Sequence, residues 1–397
     1  MSPLQLVLAG TTLELAYFLF EVPTGVVADL YSRKLSVVTG ALVSGVAMVA
    51  IGALPEVGYV IAAMAVWGFG WMFRSGAEDA WLADELAAEL ADELAAEAAG
   101  ESGKAQLGAA YQRGAQVARV TGLLGIITAV ALALVDLRLP FVAAGGTTVL
   151  LALYVAAVMP ETGFTKPERH TSIRPWSAVA GTARQGGRLV RSSPILLLIL
   201  GIFFFLGAFA EGFDRLWEAH LLLEVGLPDI GGLGEVAWFG VFGAATLILS
   251  FAVAAPLVKR VERLQAERLA RLLLVLHAVL MVCALGFALA GSLVLAAVAF
   301  LATTVVRDLT GPPFQAWLNG TITGSSVRAT VLSFTSIFTS FGEWTGGPAL
   351  GAIGTRWGVR SALATGALLL APTLLLFARA VQHHGTEPEL LEASEAH

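Results

Sequence analysis

Eleven apolar stretches, each near the length that crosses a bilayer as a helix, fill this chain at about 4–28, 35–54, 57–83, 107–135, 139–159, 194–222, 236–258, 269–290, 292–318, 329–354 and 359–381. Roughly 20 helical residues span the hydrocarbon core of a membrane. Nothing in that medium hydrogen-bonds a bare backbone, so stretches of this kind fold as helices or not at all. The pattern predicts an all-α polytopic membrane helix bundle. Charge content agrees, because 14% of the 397 residues are charged and 57% are hydrophobic, against about 25% charged in an ordinary soluble domain. The single Cys283 rules out a disulfide within one chain.

Basic residues set the expected orientation. The loops at 29–34, 84–106, 160–193, 259–271 and 319–328, with the C-terminal tail, carry most of the 24 lysines and arginines, whereas the opposite loops hold only Arg138, Arg356 and Arg360. The positive-inside rule then places the protein in the cell (inner) membrane with its C-terminus in the cytoplasm. The basic linker at 160–193 divides an N-terminal half bundle of five spans, 1–159, from a C-terminal half of six, 194–381, and residues 382–397 form a cytoplasmic tail. Ala80-Trp81-Leu82 recurs as Ala316-Trp317-Leu318, as expected of two pseudo-symmetric parallel halves. On that register the first half is short by about one span of helix. The segment from Ala83 to Leu90 is duplicated at once from Ala91 to Ala98. Its alanines, leucines and glutamates favour helix, so the preceding span is expected to run on into the cytoplasm.

Charges inside the spans mark the candidate site, since each costs about 2.5–3.5 kcal/mol to insert unless paired or facing water. They are Glu14, Glu21, Arg74, Glu78, Asp79, Arg113, Arg119, Glu211, Asp214, Arg215, Arg307, Asp308 and Glu343. Arg74, Glu78 and Trp81 fall on one helix face, as do Glu211, Asp214 and Glu218. Glu78, Asp79, Asp214 and Asp308 are the candidates for protonation or substrate charge, with Glu21, Glu211 and Arg215 in the same set. Arg119 and Arg307, near mid-membrane, are the expected counter-charges. Trp81 and Trp317 are expected at cavity walls or at the inner interface. The competing expectation is that about half of these charges are paired for packing alone. The six histidines show no ligand spacing and no phosphate-binding glycine loop is present. The chain is therefore expected to be no enzyme, to hold no metal or cofactor, and to bind no nucleic acid.

One local tract goes further. Gly25-Val-Val-Ala-Asp29-Leu-Tyr-Ser-Arg33-Lys34 resembles the signature loop between the second and third spans of the major facilitator superfamily of transporters. In that family the tract latches two halves together on the inner side. The resemblance implies a gate motif of Gly25, Asp29, Arg33 and Lys34, with Asp84 facing Arg33 and Gly25 allowing close helix approach. It also implies that the acids on the third, sixth and ninth visible spans line a cavity. The tract normally comes some 60 residues or more into the chain, which again suggests a missing first span. Phe20-Glu21-Val22-Pro23-Thr24-Gly25 and Arg74-Ser-Gly-Ala-Glu78-Asp79-Ala-Trp81-Leu-Ala-Asp84 look like the drug:proton antiporter branch with the tetracycline and macrolide efflux proteins. One departure is Gly122-Leu-Leu-Gly125, which lacks the proline of that branch's Gly-Pro-x-x-Gly signature, while Gly347-Pro348-Ala-Leu-Gly351 keeps it near the C-terminus. The resemblance implies a monomer in the lipid bilayer that exchanges protons for small amphipathic compounds, of multidrug or antibiotic type, by alternating access. A nutrient or metabolite importer of the same fold, or a family-derived protein that no longer transports, fits the same pattern.

Overall fold

The computed structural model describes residues 1–94, 102–164, 194–229, 231–232, 234–261, 264–321 and 325–384. Every long element among them is helical. They are α1 Pro3–Leu30, α2 Arg33–Ala53, α3 Val57–Arg74, α4 Ala77–Leu94, α5 Ser102–Ala133, α6 Leu139–Val158, α7 Pro194–His220, α8 Val236–Val261, α9 Ala266–Ala288, α10 Leu293–Thr321, α11 Ser325–Trp357, α12 Val359–Leu368 and α13 Ala371–His384. A π-helical turn, Leu221–Val225, closes α7.

All eleven expected spans are helical, and two of them are interrupted. Among the described residues nine helical stretches are long and apolar enough to cross a membrane. The apolar part of α8 described is shorter, Val236–Ser250, and α11 is absent from the nine; serines, threonines and glycines recur along it. The stretch read as one span at 57–83 is two helices, α3 and α4, because Gly76 adopts φ 75°, which a helix cannot contain. The last stretch is likewise split between Leu368 and Ala371, where Pro372 has no N–H to return to the carbonyl of Leu368. The duplicated segment is helical as far as Leu94, and its end at 95–98 lies outside the described residues, as do 165–193 of the linker and the tail from 385.

The chain divides into two compact units, Thr12–Pro175 and a second made of Met1–Thr11 with Trp176–His397. In the first, α2 packs between α3 and α6. Lipid tails are as apolar as leucine, so close van der Waals contact rather than the hydrophobic effect joins such helices. Gly45 and Gly145 supply it: a Cβ added at Gly145 would come 2.5 Å from the Gly45 carbonyl oxygen and 2.7 Å from Val49. Gly25, expected to play this part, has nothing within 4 Å of the same position; the close approach falls on α2 instead.

In the second unit α7 packs on α11 and α9 on α10. Phe209, Phe213, Phe242, Phe287 and Phe300 form a buried aromatic core, with Trp217 stacked on Phe300 at 4.4 Å between ring centres.

Gly145→Val should therefore destabilise the first unit by about 1–3 kcal/mol through overpacking. Gly146→Val, one residue on and with nothing within 4 Å, should leave thermal unfolding of the purified protein close to the parent's. Equal melting temperatures for the two variants would show that helix contact at Gly145 is not limiting.

Candidate functional site

Candidate residues lie in both units: in the first, at the start of α2 and at the break between α3 and α4, and in the second, along α7 and α10. In the first unit, α2 starts at Arg33 behind the N-cap Ser32, whose hydroxyl accepts from the Leu35 N–H. This start turns Arg33 back toward the end of α1, where it pairs with Asp29 one helical turn earlier. It also brings the guanidinium Nε to 3.5 Å from Asp84 near the middle of α4. The three charged groups expected to act as a gate are thus adjacent. Lys34 makes a separate contact: its backbone N–H donates to Glu161 at 3.0 Å.

At the break between α3 and α4, Arg74 donates to Glu78 at 2.7 Å and lies over Trp71 at 5.5 Å. These residues and Ser75, Gly76 and Asp79 line an open hollow of about 210 Å³. Glu78 and Asp79 stand in the first turn of α4, where the positive end of the helix dipole favours carboxylates. Glu21 is exposed on α1 and joins neither cluster. Trp81 donates its indole N–H to the Pro160 carbonyl at 2.7 Å, which ties it to the segment after α6. The side chain of Arg119 lies outside the described residues.

In the second unit, Arg307 of α10 makes two parallel hydrogen bonds to Asp214 of α7, at 2.7 and 2.9 Å. This fork geometry is the strongest pairing that arginine and a carboxylate have. The two side chains remain 38% and 42% exposed, so the pair is formed yet reachable. Asp308, next in the chain, accepts from the Ser250 hydroxyl on α8. Arg215 donates to Glu211 at 3.2 Å, and Glu211 is 4% exposed. Breaking so buried a pair leaves an uncompensated charge.

Trp317 is the clearest correction. Expected to face a cavity or the inner interface, it is 0% exposed. It sits between Phe314 and Phe377, with ring centres 5.5 and 5.7 Å away. The tripeptide that it shares with Trp81 carries no information about the surroundings. Sequence reading also passed over Glu161, which looks like any loop acid, and Ser250, a common residue of membrane helices. Only their partners distinguish them.

A model of the Major Facilitator Superfamily matches residues 1–343. The uncharacterized MFS-type transporter YxaM of Bacillus subtilis (strain 168) is 22% identical over 250 residues, covering 62% of this chain and 56% of that protein. The chain thus matches a little over half of that relative's length. Among solved structures, the nucleoside transporter NupG superposes with a TM-score of 0.67 at 13% identity, over 98% of this chain and 91% of that one. A POT family transporter complexed with a thioalcohol-conjugated peptide gives 0.66 at 11% identity, over 96% and 89%. The E. coli fucose:proton symporter FucP gives 0.53 at 16% identity, over 95% and 90%. At these identities the likeness is one of fold.

If Trp317 belongs to the core, Trp317→Ala should cost about 3–5 kcal/mol. Thermal unfolding in detergent measures it, and a melting temperature within a degree of the parent's would return Trp317 to an open surface.

Proposed function

The chain belongs to the major facilitator superfamily, and from that premise we propose that it expels small amphipathic organic compounds in exchange for protons. As a member it is a multi-pass membrane protein and a secondary transporter of small molecules, not an enzyme. The narrower reading takes α8 and α11 as crossing the membrane too, for eleven spans in two related halves with the C-terminus in the cytoplasm of the cell membrane. The protein then works as a monomer in the lipid bilayer.

The observation that carries the reading is the forked Asp214–Arg307 pair inside two spans, closed but reachable. A charge pair in such a place is costly and calls for a use. Protonating Asp214 removes its charge and turns one of the two acceptor oxygens into a hydroxyl, which breaks the fork and leaves Arg307 without that counter-charge. Arg307 then gains from turning to Asp308, the adjacent carboxylate. One proton thereby changes which arrangement of α7 and α10 is favoured, and coupling requires such a difference in affinity between two states. Glu211 and Arg215, one helical turn along α7 from one another, hold that helix face in place. Glu78 and Asp79 beside Trp71 are the candidates for substrate charge, with Glu21 and Arg119 as further charged groups of the same half. The Asp29–Arg33–Asp84 cluster, with Lys34 and Gly25, serves as the inner gate. The direction outward rests on the likeness of the Phe20–Gly25 and Arg74–Asp84 tracts to drug:proton antiporters.

Everted membrane vesicles with an imposed pH gradient test this directly. A fluorescent amphipathic amine should accumulate in vesicles carrying the parent protein. Asp214→Asn should reduce accumulation to that of vesicles lacking the protein, with unchanged membrane insertion. Retained accumulation in the variant would remove Asp214 from proton coupling, and accumulation only in right-side-out vesicles would make the protein an importer.

A further inference from the structure

Two cations open α2 at the end where a helix disfavours them. Arg33 and Lys34 are its first residues and no acid stands in its first turn, although the positive end of the dipole lies there. The missing negative charge arrives from 127 residues away. Glu161 accepts from the Ser32 hydroxyl at 2.8 and 2.9 Å and from the Lys34 N–H at 3.0 Å. Its carboxylate therefore caps α2 in concert with Ser32, which is itself engaged with Leu35.

The residues around Glu161 are held with equal care by α4. Pro160 offers its carbonyl to the Trp81 indole at 2.7 Å. Glu85 accepts from the Thr162 hydroxyl at 2.6 Å and from the Gly163 N–H at 2.9 Å. Gly163 lies so close to the Asp84 carbonyl that an added Cβ would collide with it. Phe164 completes the segment, with its ring centre 5.8 Å from the Arg33 guanidinium. Four of these five consecutive residues thus contact Arg33, Asp84 or their immediate neighbours, and Pro160 is held by Trp81, three residues before Asp84.

We propose that Pro160–Phe164 is a strap that positions the Arg33–Asp84 pair, with Glu161 and Glu85 as its positioning residues. The strap joins the start of α2 to α4, so the distance between Arg33 and Asp84 is set by backbone anchors on each side. Without Glu161 the first turn of α2 holds two cations against its own dipole and loses an acceptor for two donors. The arginine then has a wider range of positions from which to reach Asp84. The effect on transport rests on the function proposed above; the positioning itself does not.

The test uses the full chain with Cys283→Ser, in lipid nanodiscs for distances and in proteoliposomes for transport. Nitroxide labels are placed at Leu35→Cys and Ala83→Cys, positions exposed on α2 and α4. Pulsed electron paramagnetic resonance should give a narrow distance distribution in this parent. Glu161→Gln should broaden it and lower the maximal transport rate about tenfold at an unchanged KM. Adding Ser32→Asp, which keeps the cap and restores a negative charge at the helix start, should recover both. If Glu161→Gln does not yield folded protein, Gly163→Ala should produce the same broadening. A distribution that neither substitution alters overturns the proposal. A parent that transports nothing, with the broadening and recovery still present, would instead count against the transport reading and leave the strap standing.

Discussion

A membrane interior supplies no hydrogen-bond partner to a peptide group, and every feature of this protein is arranged around that deficiency. Each long element described is a helix, whose backbone satisfies itself. Where a helix is interrupted, some other group takes over. At the break after α3 the Ser75 N–H returns to the Trp71 carbonyl, and the Arg74–Glu78 pair spans the gap. At the end of α7 the wider π turn closes through the Gly226 N–H on Leu221. Hydroxyls inside the spans obey the same rule: Thr303 donates to Ala299 and Thr373 to Leu370.

With the backbone satisfied inside each helix, association has to come from shape. Gly45 against Gly145, and α7 against α11 through Gly207 and Gly342, bring backbones close enough for dispersion to act along the whole contact. The aromatic core of the second unit fills the remaining space with large rings. Charged groups are the exception to this economy, and several of those described stand beside a partner. Asp214 and Arg307, 93 positions apart, meet as a fork. Arg33 stands between two acids, paired with Asp29 one turn earlier and 3.5 Å from Asp84.

Legibility in the sequence followed the range of the interaction. Asp29 and Arg33 are four residues apart on a helix boundary, so their approach could be read from spacing, and the family resemblance supplied Asp84. Asp214 and Arg307 were each conspicuous as ions in apolar stretches, but spacing could not say that they pair with one another. Ser250 and Glu161 gave no signal, because their chemistry is ordinary and only their neighbours make them notable. Trp81 and Trp317 make the point from the other side: one tripeptide occurs twice, and its tryptophan lies against a loop carbonyl in one unit and is buried among phenylalanines in the other.

From its sequence alone the protein is settled as a chain of membrane-crossing helices with ions at unfavourable depths, since hydropathy and charge are properties of each segment that the bilayer reads directly. Pairing is a different matter. Which acid meets which arginine, whether a glycine faces a helix or open space, and that a loop glutamate caps a helix 127 residues earlier were decided by tertiary structure. Those outcomes depend on positions brought together from far along the chain, and no local periodicity encodes them.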